Sequence, residues 1–260
     1  MLLAVDIGNT STTIGVFAGE ELRATWRIGT DSGRTADEYG MLLLTLLHHQ
    51  GLDPDVIADA VAASVVPDLD PLFQAACHRY LHGIDPLMVG AGIRTGLRIL
   101  YEDPREVGAD RVVDAVAALS LYGPPLVVVD LGTATVFDAI NAQGEYVGGA
   151  IAPGVAIAAE ALFRRAAKLY RVELKRPRSA IGRNTAAALQ SGFVYGDVGL
   201  IEGVVARFKQ ELGGQATVVA TGGWVEAVAR ECSVIDIVNP DLPLIGLRLI
   251  YDLNRGERSA

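Results

Sequence analysis

The chain has 260 residues, half of them hydrophobic, with 29 glycines, few aromatics and a formal net charge of -9. This is the profile of an α/β protein with a large core. Its acidic balance disfavours nonspecific nucleic-acid or anionic-membrane binding, while a phosphorylated ligand remains accessible through a bridging divalent cation.

The elements are legible in chain order. Residues 1–30 read as strand, turn, strand, turn, strand, with LLAVD, TTIGVF and LRATWRI as the strands. RTADEYGMLLLTLLHHQG opens with a capping box, Thr35 to Glu38, and closes at Gly51, which predicts a helix. ADAVAASVV reads as a buried strand, DPLFQAACHRYLHG as a helix and DPLMVG as a short strand. Residues 91–107 are rich in loop signals, and ADRVVDAVAALSLYG then reads as a helix. Beyond Pro124-Pro125 comes PLVVVDLGTATVFDAI, which repeats the pattern of the N-terminal LLAVDIGNTSTTIGVF. Three helical regions follow, 155–170, roughly 184–212 with breaks expected near its glycines, and 224–231; strands ATVVAT and VIDIV flank the last, and a final helix begins near 243.

Two copies of a β-rich unit followed by helices predict two similar lobes with a cleft between them, divided as 1–118 and 119–260. No basic segment precedes an apolar run at the N-terminus, and stretches such as MLLLTLL are too short to span a bilayer, so the expectation is a soluble cytoplasmic protein. Cys77 and Cys232, far apart and outside any CxxC, read as reduced thiols.

The repeated strand-Asp-x-Gly unit carries the chemistry. A strand that ends on Asp6 or Asp130 delivers a carboxylate to the sheet edge, and the glycine behind it permits a tight turn or a close backbone approach. Asn9, Thr10, Ser11, Thr12 and Thr13 then offer hydroxyl, amide and backbone N–H donors. Such a hairpin can cradle phosphate oxygens without a lysine. A single copy is equally an ordinary Asp-Gly turn; the repetition after two apolar strands favours a nucleotide polyphosphate with its cation. Asp110, where a helix begins, reads either as a cap or as a general base for a hydroxyl attacking a γ-phosphate. Arg111 reads either as a substrate-carboxylate partner or as half of a surface ion pair with Glu106 or Asp114. Gly222-Gly223 suits an approach to a flat ligand or a plain strand-to-helix turn. His78 and His82 read as a solvated helix face. VGAGIRTG lacks dinucleotide-fingerprint spacing, and no P-loop is present.

Five ordered segments, DIGNT at 6, RTADEYG at 34, VGADR at 107, DLGTATVFD at 130 and GGAIAPG at 148, together resemble the type III pantothenate kinase family over nearly the whole chain. The resemblance implies a fold of two duplicated actin-like, ribonuclease H-like lobes with ATP in the cleft, shared with acetate kinase, sugar kinases, heat-shock chaperones and actin. It implies ATP-dependent phosphorylation of the primary hydroxyl of pantothenate, the first step of coenzyme A synthesis. Carried over by position, Asp6, Ile7, Gly8, Asn9, Thr10, Ser11, Thr12 and Thr13 would form the first phosphate-binding hairpin, and Thr133 would contact ATP. Asp110 would be the base. Tyr101, Gly108, Ala109, Asp110, Arg111 and Thr185 would form the pantothenate site. Asp130 would bind K⁺ or NH₄⁺, required beside Mg²⁺. The resemblance also implies a homodimer. Alternatives on the same fold are a kinase for another small hydroxylated substrate and a non-catalytic regulatory protein of the family.

Overall fold

The computed structural model describes residues 1–166 and 168–258. The chain forms two units, each with its own sheet. The first comprises Met1–Leu97, Asp103–Ala117 and the chain from Leu242 onward; the second comprises Arg98–Glu102 and Ala118–Asp241.

In the first unit, β1 (Leu2–Ile7), β2 (Ser11–Ala18) and β3 (Glu21–Gly29) form an antiparallel meander. Beyond β1, β4 (Asp59–Ser64) and β5 (Leu87–Met88) add in parallel, giving the order β3-β2-β1-β4-β5. Helices α1 (Ala36–His49) and α2 (Asp70–Tyr80) cover one face of this sheet. The expected capping box at α1 is present: Thr35 accepts from the Glu38 N–H while the Glu38 carboxylate accepts from the Thr35 N–H. Leu3, Val5, Ile7, Ile14 and Val16 pack with Tyr39, Leu43, Leu47 and Phe73 into a closed core.

The expected division at 118/119 differs from the observed one at its C-terminal end. The last helix of the chain, Leu242–Arg258, packs on β1, β2 and β4 of the first unit. Its Leu242, Leu244, Leu247 and Ile250 are fully buried, an apolar stripe of the kind a core-facing helix presents. A Cβ on Gly15 of β2 would lie 2.7 Å from Leu244, so a small residue is needed beneath this helix.

The second unit repeats the plan. β7 (Leu126–Leu131), β8 (Ala134–Ile140) and β9 (Glu145–Pro153) form an antiparallel meander, and β10 (Thr217–Thr221) and β11 (Ile237–Val238) add in parallel beyond β7. A further strand, β6 (Arg98–Ile99), caps β9, giving β11-β10-β7-β8-β9-β6. The antiparallel meander followed by parallel strands, found twice, is the duplicated ribonuclease H-like arrangement expected. Helix α3 (Ala109–Tyr122) carries the chain from one unit to the other. After it come α4 (Val155–Arg165), α5 (Thr185–Glu211) and α6 (Val225–Ala229); the helix from Leu242 is α7.

Three sequence expectations need correction. α4 ends at Arg165, short of residue 170. The strand read from VIDIV is reduced to Ile237–Val238. Helix α5 runs 27 residues without a break, although Gly192, Gly196, Gly199 and Gly203 lie inside it. Each interior glycine costs about 1 kcal/mol relative to alanine. Val194, Val198, Ile201 and Val205 form a buried stripe on the opposite side, and each such side chain contributes about 1.5–3 kcal/mol, so packing overrides propensity.

Candidate functional site

The first hairpin follows from strand register. Asp6 pairs across the ladder with Thr13, and Ile7 with Thr12. Side chains alternate across a sheet, so Asp6, Ser11 and Thr13 share one face while Ile7 and Thr12 share the other. Ile7 is 2% and Thr12 4% exposed, both turned toward the α1–α2 core. Their side chains are therefore not presented at the surface of the turn. Asn9 and Thr10 at its tip are exposed. The turn is closed by the Gly8 N–H donating to the Ser11 carbonyl at 3.1 Å; a Cβ on Gly8 would stand 3.0 Å from that same oxygen.

The second hairpin is walled by glycines. Asp130, next to last in β7, lies beside Thr221 of β10. Added Cβ atoms would lie 3.3 Å from its carboxylate at Gly132 and 2.3 Å at Gly222. Gly222 has φ +98, in the left-handed region, and its close approach to Asp130 and the Leu131 backbone requires the missing side chain. Gly154, at the β9–α4 junction, donates its N–H to the Thr133 carbonyl at 3.2 Å, and a Cβ there would lie 2.5 Å from that oxygen. Gly222 thus has a tertiary reason in this unit, which the sequence left open between a ligand approach and a turn. Beneath β8, the buried Thr135 donates to the Asp197 carboxylate of α5. Burial pushes the Asp197 carboxyl up to about 6, against the lowering effect of the Thr135 hydroxyl. Sequence reading missed this pair, because an aspartate among glycines reads as a solvated helix face.

Asp110 is the second residue of α3 and does not cap the helix from outside. Its Oδ1 accepts from the Arg111 N–H at 2.8 Å. Burial raises its pKa, opposed by the Arg111 N–H and guanidinium charge. A Cβ on Gly108 would lie 2.4 Å from Asp110 Oδ1, so the preceding glycine gives the carboxylate its place. Arg111 is 8% exposed and Asp114 4%, so both are buried rather than at the surface.

The remaining substrate candidates lie in the second unit. Tyr101 follows β6, its ring 6.4 Å from that of Tyr146. Thr185 is the first residue of α5, behind its cap Asn184, whose side chain accepts from the Ala187 N–H at 2.8 Å. It lines an open groove of about 690 Å³ with Leu162, Leu169, Arg183 and Phe193. Gly108, Ala109 and Arg111 belong to the first unit.

Cys77 and Cys232 are both free and buried; burial pushes the Cys77 thiol up to about 12 and raises Cys232 as well, which leaves both inert as nucleophiles. His78 and His82 are exposed and bond Asp85 and Asp55 respectively; both are solvated as expected, but only His78 lies on the helix, since α2 ends at Tyr80 and His82 follows it at φ +54. Among the described residues no cluster of three or more His, Cys, Asp or Glu is poised to hold a metal unaided.

A two-unit fold with strand-Asp-x-Gly hairpins and a half-buried aspartate opening a helix is an actin-like architecture. A model of the type III pantothenate kinase family matches residues 2–207. The chain is 53% identical over 254 residues to a type III pantothenate kinase from Moorella thermoacetica, covering 98% of this chain and 100% of that one. Among solved structures it is similar to a chain described as a Baf family transcriptional activator from Campylobacter jejuni, at 18% identity and a TM-score of 0.61, covering 98% and 99% of the two chains. It is also similar to an inorganic polyphosphate/ATP-glucomannokinase from Arthrobacter, at 12% identity and a TM-score of 0.50, covering 97% and 98%. These two likenesses concern the fold. The chain belongs to the type III pantothenate kinase family.

Proposed function

We propose that this protein transfers the γ-phosphoryl group of ATP to the primary hydroxyl of pantothenate, giving 4'-phosphopantothenate and ADP. The observation that carries the reading is Asp110, a half-buried carboxylate at the start of α3 with its basicity raised by desolvation, in a chain whose family match spans both Asp-x-Gly hairpins. Raised basicity suits a group that must accept a proton near neutral pH.

The roles follow from chemistry. The turn of Asp6 to Thr13 and the hydroxyl of Thr133 hold the polyphosphate. Tight glycine turns fit it because they bring backbone N–H groups close to oxygen ligands. Asp6 and Asp130 would supply hard oxygen ligands of the kind Mg²⁺ and a monovalent cation such as K⁺ or NH₄⁺ prefer, with Asp130 assigned the monovalent ion; such cations, when bound, would neutralise phosphate charge. Gly108, Ala109, Arg111, Tyr101 and Thr185 orient pantothenate, with Arg111 pairing its carboxylate.

In the reaction the hydroxyl oxygen forms a bond to the γ-phosphorus as the bond to the ADP oxygen breaks. The hydroxyl proton passes to an Asp110 oxygen. Because phosphoryl transfer is loose, holding the hydroxyl in line contributes more than base strength.

A homodimer formed through the second unit also belongs to this reading. Ile157, Leu162, Tyr170 and Ile181 are exposed around α4 and the start of α5, the kind of apolar surface a partner covers. We assign the protein to the cytoplasm, with no nucleic-acid or membrane partner; no described helix is long and apolar enough to cross a membrane.

The test is ADP release by the purified protein with ATP, Mg²⁺ and K⁺, with and without pantothenate, with mass spectrometry for the phosphorylated product and Na⁺ replacing K⁺ in parallel. Pantothenate- and K⁺-dependent turnover is expected. ATP binding without pantothenate-dependent turnover overturns the reading.

A further inference from the structure

Thr30 lies outside every motif discussed above, immediately after β3, yet it holds the first hairpin at three points. Its N–H donates to the Thr10 carbonyl at 3.1 Å. Its hydroxyl donates to the Gly8 carbonyl at 2.7 Å. The Thr30 and Thr12 hydroxyl oxygens are 2.9 Å apart. A hydroxyl has one hydrogen to give; since that of Thr30 goes to Gly8, Thr12 is the donor in the second contact. One side chain therefore satisfies an acceptor on one limb of the turn and a donor on the other.

Thr30 is itself anchored. The phenol of Tyr39, 6% exposed on α1, donates to the Asp31 carbonyl at 2.9 Å and accepts from the Asp31 N–H at 3.2 Å. Hydrogen bonds thus tie α1 to Asp31, and its chain neighbour Thr30 to Gly8, Thr10 and Thr12. The helix end that starts it is fixed by the Thr35–Glu38 capping box. The exposed tip, Asn9 and Thr10, lies inside this brace.

We propose that Thr30 is a positioning residue for the phosphoryl donor: its hydroxyl bridge between Gly8 and Thr12 holds the hairpin in the shape that receives the polyphosphate. The inference rests on the reading of that hairpin as the ATP phosphate site. Without the hydroxyl, the Gly8 carbonyl loses its donor and Thr12 its acceptor. The turn then has to be ordered by the nucleotide, at the expense of binding free energy.

The test compares Thr30→Val, which keeps the shape and removes the hydroxyl, with Thr30→Ser, which keeps the hydroxyl, measuring KM for ATP, KM for pantothenate, kcat and ADP affinity by calorimetry. We expect Thr30→Val to raise KM for ATP and weaken ADP by about tenfold, the scale for orphaning buried hydrogen-bonding groups. The pantothenate KM should stay within about twofold, and Thr30→Ser should recover most of the loss. Tyr39→Phe, which leaves Thr30 intact, should give a smaller rise in the same parameter and serves where Thr30→Val does not fold. Asp6→Asn separates the two layers of the argument. If it changes neither kcat nor nucleotide affinity, the hairpin reading has failed. If it impairs them while Thr30→Val or Tyr39→Phe only lowers the melting temperature, Thr30 is merely structural and the proposal is overturned.

Discussion

A Cβ on Gly222 would stand 2.3 Å from the Oδ1 of Asp130. The strand end of β10 therefore reserves the space in which the β7 carboxylate sits. Gly222 also has φ +98, so alanine there meets backbone strain of about 1–3 kcal/mol in addition to the clash. Gly222→Ala is expected to displace the Asp130 carboxylate, abolish stimulation by K⁺ and lower kcat/KM by about a hundredfold. Initial rates over a K⁺ series check this; unchanged K⁺ stimulation would remove Asp130 from its cation role.

Asp110→Asn keeps the size and polarity of the proposed base and removes its capacity to take a proton. ATP binding should be retained while kcat falls by about a hundredfold or more. In the parent enzyme the acid limb of kcat/KM should lie above the ordinary carboxylate range, because burial raises the Asp110 pKa. Near-normal kcat in the variant would sink the assignment.

Asp197 governs a pH dependence of stability. Its folded-state pKa is about 6 against an ordinary 3.8, so the native state holds this proton more tightly than the unfolded chain does. The associated stability is fully present below about pH 4 and is lost as pH rises through about 6, amounting to about 3 kcal/mol at most. Asp197→Asn still accepts from Thr135 and cannot ionise. It should melt about 5 °C higher than the parent at pH 7.5 and converge with it near pH 4. Calorimetric melts across that range decide the matter; a constant difference would exclude Asp197 as the titrating group.

Gly182 tests the groove lined by Thr185, proposed for pantothenate, separately. A Cβ there would lie 2.2 Å from the Ala188 nitrogen in the first turn of α5, backbone that cannot give way. Gly182→Ala should push the preceding segment off the helix that carries Thr185. The expected result is an increase of about tenfold in KM for pantothenate with KM for ATP unchanged, measured by varying each substrate in turn. An equal rise in both would place the groove outside the substrate site.

Much of this was legible in the sequence because period and punctuation agreed. The β1–β2 and β7–β8 hairpins announce themselves by apolar runs ending in Asp-x-Gly, and α1 by Thr35 and Glu38. The resemblance of five ordered segments supplied the candidate roles, which local pattern alone does not: from spacing, Asp110 at a helix start reads first as a cap and only second as a base. What stayed hidden depends on tertiary neighbours. The unbroken α5 comes from packing of Val198, Ile201 and Val205 against the second sheet, which outweighs its glycines. Thr12 belongs by composition to a row of hydroxyls, and only strand alternation turns it inward to meet Thr30. The pairing of Thr135 with Asp197 joins residues 62 positions apart, beyond any local pattern.

The packing of α7 on β1, β2 and β4 fixes an order of events during synthesis. A ribosome completes the sheet of the first unit early and releases its covering helix only after the entire second unit has been made. Until then the nascent chain must carry an exposed apolar sheet face around Gly15. Premature termination anywhere within the second half therefore leaves that sheet face without its helix.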